Sequence, residues 1–389
     1  MKKIMPFEKP FGMKDWLPSV FRQRRKLENE IEEIIISYGY DFLSTPTLEY
    51  YETVGKSSAI KEDELFKLLD HDGNTVVLRP DMTAPIARLI STYYKDYENP
   101  VRVAYGANVF RSVGRGQKTE FRQIGIECIG DASVDAQAEV ISLLSTIFKN
   151  VWKKDFQIII GHVGLLDAWL DSYVDNKRDC KNLLQFLYEK NFIEFERYVK
   201  DLTIGAVDKR ELLQLLYMKG SVSELITKLY KRQNREIKNF ATDLEELFQL
   251  ITLYGVEQHV TFDLSFVPHI SYYTGIVFEV YGEGKGEVLA GGGQYDELYD
   301  QFDKNVAAIG FGITLDSLLE VTTDSNYQKD AIAIFYEKKY VTKALEEAKK
   351  MRAKNKIVCL QNIETIENID EYMKNYKIII YMREKEEEK

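Results

Sequence analysis

A chain of 389 residues with 45% hydrophobic and 12% aromatic side chains has room for two or three domains and is too apolar to be disordered as a whole. Its formal charge of -10 speaks against a surface that grips nucleic acid by bulk attraction. No apolar run approaches the roughly 20 residues of a bilayer crossing, the opening MKKIMPFEKPFG lacks the apolar core of a signal peptide, and the expected location is the cytoplasm.

Along the chain, Leu27, Ile31, Ile34 and Ile35 fall on one stripe of residues 20–38, which predicts an amphipathic helix ended by Gly39. Short β-type runs follow at Thr75–Leu78, Val101–Phe110 and Phe121–Ile129. The polar, cationic stretch Ser112–Lys118 joins the last two as a hairpin with a long tip. A helix over Val134–Phe148 and a strand over Phe156–Gly161 complete this part.

From about residue 162 to 255 the Leu-rich segments read as helices, and this region is expected to be a helical insertion. Strand-like and Gly-rich sequence returns at Val260–Phe266, Gly275–Tyr281, Glu287–Ala290 and Val306–Ile313, so one sheet is expected to be assembled from distant segments. After the polar linker Thr322–Asn326, residues 328–389 alternate strand and helix as a small parallel α/β unit, leaving 1–322 as the main domain. Cys128, Cys180 and Cys359 are odd in number and far apart, which fits buried free thiols. With 4 His in the chain no metal site is expected, and no cofactor is implied.

Four segments have the residue types of a binding site. In Leu78-Arg79-Pro80-Asp81-Met82-Thr83-Ala84 a strand gives way to a helix that Asp81 or Thr83 can cap, and a carboxylate there can also hold an ammonium group. In Glu120–Glu127, period-two alternation puts Phe121, Gln123, Gly125 and Glu127 on one side of the return strand, with Arg111 across the hairpin. An exposed polar sheet face would show the same pattern. Tyr272-Tyr273-Thr274-Gly275 can wall a small polar ligand or simply pack, and His269 reads as a structural hydrogen-bonder. Gly291-Gly292-Gly293 permits close backbone approach or a sharp turn, and it lacks the Lys-Ser/Thr ending of a phosphate loop.

Taken in order with Phe11-Gly12-Met13-Lys14-Asp15-Trp16-Leu17-Pro18 and Thr45-Pro46-Thr47-Leu48-Glu49, these segments resemble the histidyl-tRNA synthetase catalytic domain over most of residues 7–320. The resemblance implies an α+β fold: a class II aminoacyl-tRNA synthetase-like antiparallel sheet flanked by helices, with a helical insertion and a small C-terminal α/β unit. It implies that Asp81 and Thr83 hold the histidine ammonium, that Gln123 and Glu127 line the pocket, that Tyr272 and Tyr273 contact the imidazole, and that Arg111 matches the motif arginine that meets the activated carboxylate or α-phosphate. Asp81 stands where the synthetases carry Glu.

The nucleotide half departs from that pattern. Val113 replaces the Glu that reads adenine, Pro268-His269-Ile270-Ser271 replaces Arg-Gly-Leu-Asp, and Ser317 falls where the third motif has Arg. Removing even one well-aimed donor can slow such chemistry by about 10²–10³-fold, so amino-acid activation is not expected. A synthetase body with these absences is similar to the family of ATP phosphoribosyltransferase regulatory subunits. That resemblance implies no catalytic residues, a dimer, a hetero-octamer with a short-form catalytic subunit, activation of that subunit, and histidine as feedback effector. No tRNA and no membrane partner are expected; the alternative is a divergent histidyl-tRNA synthetase or histidine-activating enzyme.

Overall fold

The stripe of the first helix decides how the N-terminal region packs. α1 (Pro18–Ser37) begins with proline, whose missing N–H is no loss at that position, and buries Ile31 and Ile35 together with Glu28. Gly39 follows at φ 80°, a left-handed value that suits a helix stop. Arg122 donates from Nε to the buried Glu28 at 2.8 Å and fastens the helix to the sheet.

The computed structural model describes residues 5–94, 100–114, 118–152, 154–220, 222–267, 272–302, 306–319 and 329–382. They divide into two compact units, Met1–Glu320 and Val321–Lys389. After α1 the first unit runs through β1 (Asp41–Phe42), β2 (Leu48–Tyr50), β3 (Lys67–Leu69), β4 (Thr75–Leu78), α2 (Thr83–Tyr93), β5 (Val101–Phe110), β6 (Glu120–Ile129), α3 (Val134–Val151) and β7 (Phe156–His162). The helical stretch follows as α4 (Val163–Asp171), α5 (Lys177–Tyr188), α6 (Phe192–Asp201), α7 (Ala206–Gln214), the two-residue β8 (Lys219–Gly220), α8 (Val222–Tyr230) and α9 (Arg235–Leu253). Then come β9 (Val260–Asp263), β10 (Ile276–Gly282), β11 (Ala290–Tyr295), β12 (Ala308–Thr314) and α10 (Leu315–Leu318).

The central sheet has the order β1-β5-β6-β12-β11-β10-β7-β9-β8. From β5 to β7 every neighbour is antiparallel, while β1 on β5 and β7 on β9 are parallel. This is the α+β, class II synthetase-like architecture, and β6 pairs with β12 across almost half the chain. Alternation sends Ala104, Ile124 and Ile126 into one core with Ile31, Ile35 and Leu144, and that core continues into the helical stretch through Leu183, Phe195 and Leu244. Val103, Tyr105 and Val109 turn the other way and pack with Met82, Ile86, Tyr295 and Tyr299. The candidate site lies on this second face.

Three expected boundaries move. The strand placed at Glu287–Ala290 begins at Ala290 and runs through the glycines to Tyr295, because Phe278 and Phe311 fill the space that a side chain at Gly292 would need. β9 stops at Asp263, whose Oδ1 accepts from the Ser265 N–H at 2.9 Å and hydroxyl at 2.6 Å and so closes a turn. The helix expected over Ile366–Asn375 is α12, Ile369–Met373 within the second unit, because Asn368 caps it by accepting from the Glu371 N–H at 3.1 Å.

In that second unit β13 (Lys329–Tyr336), α11 (Val341–Arg352), β14 (Val358–Asn362), α12 and β15 (Tyr376–Met382) form a parallel sheet in the order β14-β13-β15. Ala344 and Ala348 of α11 let the helix approach Ile334 and Val358 closely. All three cysteines are free; Cys128 and Cys180 are buried as expected, and Cys359 is only half-buried. Among the described residues no helix is long and apolar enough to cross a membrane.

Candidate functional site

The floor of the site is main chain. β12 lies against β6 with Gly310 opposite Glu127 and Gly312 opposite Gly125. A Cβ on Gly310 would sit 1.9 Å from Glu127 Oε2, and one on Gly312 would sit 2.0 Å from Gln123 Nε2. Only glycine leaves room for those two side chains to lie across the neighbouring strand. The space beside Gly125 is taken by the Tyr105 hydroxyl, 2.6 Å from where a Cβ would stand, and Gly293 of β11 yields in the same way to the Tyr273 ring. The triple glycine therefore serves close approach within a strand, and no turn.

Seven residues singled out in the sequence, Asp81, Thr83, Arg111, Gln123, Glu127, Tyr272 and Tyr273, line one narrow cavity of about 50 Å³. It opens into a larger cleft of about 430 Å³ that shares Arg111, Gln123 and Tyr273. Glu127 is 2% exposed, and both its oxygens accept from hydroxyls: Oε1 from Thr83 at 2.9 Å and Oε2 from Tyr295 at 2.6 Å. Burial raises its carboxyl to about 8, although these two hydrogen bonds pull the other way. Asp81 accepts from the Ala84 N–H at 3.1 Å, capping α2, and from the Ser58 hydroxyl. Capping and lining the cavity thus fall to the same carboxylate.

Opposite this acidic pair stands Arg111. Its Nε donates to the Pro80 carbonyl at 3.0 Å and its guanidinium lies over the Phe121 ring at 5.3 Å. Burial lowers its pKa, and among the described residues no carboxylate is within ion-pair distance. Gln123 Oε1 is buried without a hydrogen-bond partner among them. The Tyr272 and Tyr273 rings meet edge-on at 5.1 Å, and Tyr272 tilts against Tyr295 at 5.5 Å. Two carboxyl groups, one cation, an orphaned carbonyl and an aromatic wall suit a small zwitterion with a flat polar side chain.

The sequence reading missed Tyr105 and Tyr295. Tyr295 had a signal, since it follows the glycines at the parity of Gly291 and Gly293, but a run left open between close approach and a sharp turn has no assigned faces. Arg79, beside Asp81, is structural: its Nε donates to the Asn108 carbonyl and its Nη1 to that of Thr45, both at 2.8 Å.

In the outer cleft, Val113 lines the wall and Tyr188 reaches it from the helical stretch. Ser317 is buried on α10 and accepts from Lys118 Nζ at 2.7 Å, while the same ammonium pairs with Glu287 at 3.3 Å. The position expected to have lost a guanidinium is therefore engaged with a lysine from the hairpin. Residues 115–117 and 268–271, with Pro268 and His269, lie outside the described residues.

Comparison with known proteins gives this geometry a lineage. The model of the histidyl-tRNA synthetase family matches residues 12–318, and that of the C-terminal domain of histidyl-tRNA synthetase HisZ matches residues 333–384. The ATP phosphoribosyltransferase regulatory subunit of Geobacillus sp. (strain WCH70) is 43% identical over 383 residues, 98% of each chain. The protein of that name from Bacillus subtilis (strain 168) is 40% identical over 377 residues, 96% of each chain. A crystal structure described as an ATP phosphoribosyltransferase regulatory subunit/histidyl-tRNA synthetase from Bacillus halodurans has a TM-score of 0.91 at 40% identity, covering 98% of this chain and 99% of its own. Histidyl-tRNA synthetase from Nostoc sp. PCC 7120 shares the fold, with a TM-score of 0.80 at 20% identity over 95% of this chain and 89% of its own. A synthetase-like fold and this identity across nearly the full length show that the chain belongs to the family of ATP phosphoribosyltransferase regulatory subunits.

Proposed function

We propose that this regulatory subunit activates a short-form ATP phosphoribosyltransferase catalytic subunit and mediates histidine feedback on the first step of histidine biosynthesis, without chemistry of its own. Histidine is its effector and occupies the inner cavity. Asp81 and Thr83 take the ammonium, Arg111 the carboxylate, Gln123 and Glu127 the hydrogen-bonding edge, and Tyr272 and Tyr273 the imidazole. The observation that carries this reading is the buried Gln123 Oε1, left without a donor among the described residues in the cavity that Asp81, Glu127 and Arg111 also line. A buried acceptor of that kind costs about 1–3 kcal/mol until a ligand N–H arrives.

Regulation requires only that histidine bind one state of the assembly better than the other, and about 1–3 kcal/mol of difference is enough. A dimer is supported by the exposed apolar side chains of Leu17 just before α1, of Phe21 and Ile36 on α1, and of Leu48 and Leu69 on β2 and β3. No tRNA is expected to bind.

The decisive experiment adds this chain to a short-form ATP phosphoribosyltransferase and follows phosphoribosyl-ATP formation with and without histidine. Stimulation reversed by histidine is expected; a cognate pair showing no stimulation rejects the reading. Histidine titrated by calorimetry into the isolated chain and into Glu127→Ala and Tyr273→Ala tests the cavity, and unchanged affinity in both variants rejects it. Histidine-dependent exchange of pyrophosphate into ATP would favour a synthetase instead, and the lysine-engaged Ser317 speaks against that outcome.

A further inference from the structure

On the other face of β11 lies a second cavity, of about 380 Å³, closed on its far side by α9 of the helical stretch. Gly291, Gly293 and Tyr295 face the first cavity, so Gln294 and Asp296, one residue out of step, face this one. Among the described residues its walls contain Asp243 and Asp296 and neither lysine nor arginine. Phe240, Leu244, Leu247 and Ile276 make the apolar side.

His162 gives the cavity its direction. The residue is 8% exposed, and its Nδ1 accepts from the Leu165 N–H at 3.1 Å, which caps α4. A nitrogen that accepts cannot bear the proton, so the neutral ring carries it on Nε2. That N–H has no hydrogen-bond acceptor among the described residues and borders the cavity. Burial holds the ring neutral at physiological pH by lowering its pKa to about 4. Beside it, Ser133 and Val134 at the start of α3 line the same space; the N–H groups of Ala136 and Gln137 are taken by Ser133, which leaves those of Val134 and Asp135 as the open donors of that turn.

Acceptors stand at the opposite side. Asp296 accepts from the Thr274 hydroxyl at 2.7 Å and from Gln294 Nε2 at 3.2 Å, which leaves further oxygen lone pairs free. Asp243, on α9, is exposed at the rim. Gln137 Nε2 bonds to Gln294 Oε1 at 3.1 Å and stiffens the base.

We infer that this cavity is a second ligand site, one for a free amino acid with an apolar side chain. The ammonium meets Asp296 and Asp243, the carboxylate takes the His162 Nε2–H and the Val134 N–H at the start of α3, and the side chain lies against Phe240 and the leucines of α9. Neither an amine alone nor an acid alone satisfies both sides.

The test uses the full chain and three probes: leucine, 3-methylbutylamine, which lacks the carboxylate, and 4-methylpentanoate, which lacks the ammonium. Binding is followed at the imidazole ¹H–¹⁵N resonances of the 4 histidines, so that His162 reports this cavity separately from the inner one. Leucine at millimolar concentration should shift the His162 signal, and each truncated probe should bind at least about tenfold more weakly, the ratio that corresponds to ~1.4 kcal/mol for one lost charged contact. Asp243→Asn, on the exposed rim, should weaken leucine about tenfold without altering the fold, and Asp296→Asn should do so more strongly. A silent His162 resonance, equal binding of leucine and either truncated probe, or leucine binding indifferent to Asp243→Asn would overturn the assignment. The readout does not depend on histidine occupying the inner cavity, so the two proposals fail separately.

Discussion

The Tyr295 hydroxyl donates to Glu127 Oε2 at 2.6 Å, which ties β11 to β6 across the intervening β12 through a single buried carboxylate. Replacing Tyr295 with Phe removes that donor and leaves the ring in place. Glu127 would then keep only Thr83, and a buried group deprived of one such bond costs about 1–3 kcal/mol. Urea unfolding of Tyr295→Phe should show a loss of that size with an unchanged m-value, and histidine should bind more weakly.

The carboxyl of Glu127, raised by burial from 4.5 to about 8, makes stability depend on pH with a definite sign. The unfolded chain releases this proton near 4.5 and the folded chain retains it, so the contribution is full below 4.5 and is lost as pH rises through about 8. His162 acts oppositely: lowered from 6.5 to about 4, it makes stability rise with pH over that interval. Between 6.5 and 8 His162 is neutral in both states, and Glu127 still titrates. Unfolding free energies of the wild type should fall between pH 6.5 and 8, by up to ~1.4 kcal/mol per pH unit, and Glu127→Gln should flatten that slope.

Gln123→Ala separates stability from recognition. Deleting a carbonyl that is buried without a partner removes an unfavourable group, so the ligand-free variant should unfold at the same temperature as the wild type or higher. Its affinity for histidine should drop about tenfold to a hundredfold, the ratio that ~1.4–2.8 kcal/mol of lost hydrogen bonding produces. Calorimetry and thermal unfolding on one preparation decide it; a destabilised variant with unchanged affinity contradicts the role given to Gln123.

Gly310→Ala tests the floor. The new methyl group would stand 1.9 Å from Glu127 Oε2 and 2.4 Å from the Ile126 carbonyl, so strand or side chain must move. Forcing such a group into a packed site costs about 1–3 kcal/mol, and histidine binding should disappear. Gly284→Ala, at φ 76° and with open space around it, is the control: it strains the main chain and leaves affinity intact.

Much of this site was legible because its residues sit in short, regular patterns. Asp81 and Thr83 announced a helix start, and period-two alternation placed Gln123 and Glu127 on one face before any partner strand was known. Tyr295 was hidden, because its role depends on β11 and β12 lying beside β6, a pairing between residues almost two hundred positions apart that no local signal records. The strand through Gly291–Gly293 was hidden for a related reason: glycine has weak strand preference of its own, and what holds it extended is the bulk of Phe278, Phe311 and Tyr273 supplied from elsewhere. Tyr105 lay inside an alternating run where nothing distinguished it from packing. Lys118 was read as part of a free cationic tip, and its engagement with Ser317 and Glu287 joins segments that only the folded chain brings together.

The glycine pavement under the inner cavity has a consequence for selectivity. Gly310 and Gly312 yield their space to the Glu127 and Gln123 side chains, and Glu127 is held flat there by Thr83 and Tyr295, so the pocket does not deepen without breaking a buried hydrogen bond. A guest one methylene longer than histidine should therefore bind this cavity more weakly, the pinned carboxyl acting as a gauge of length.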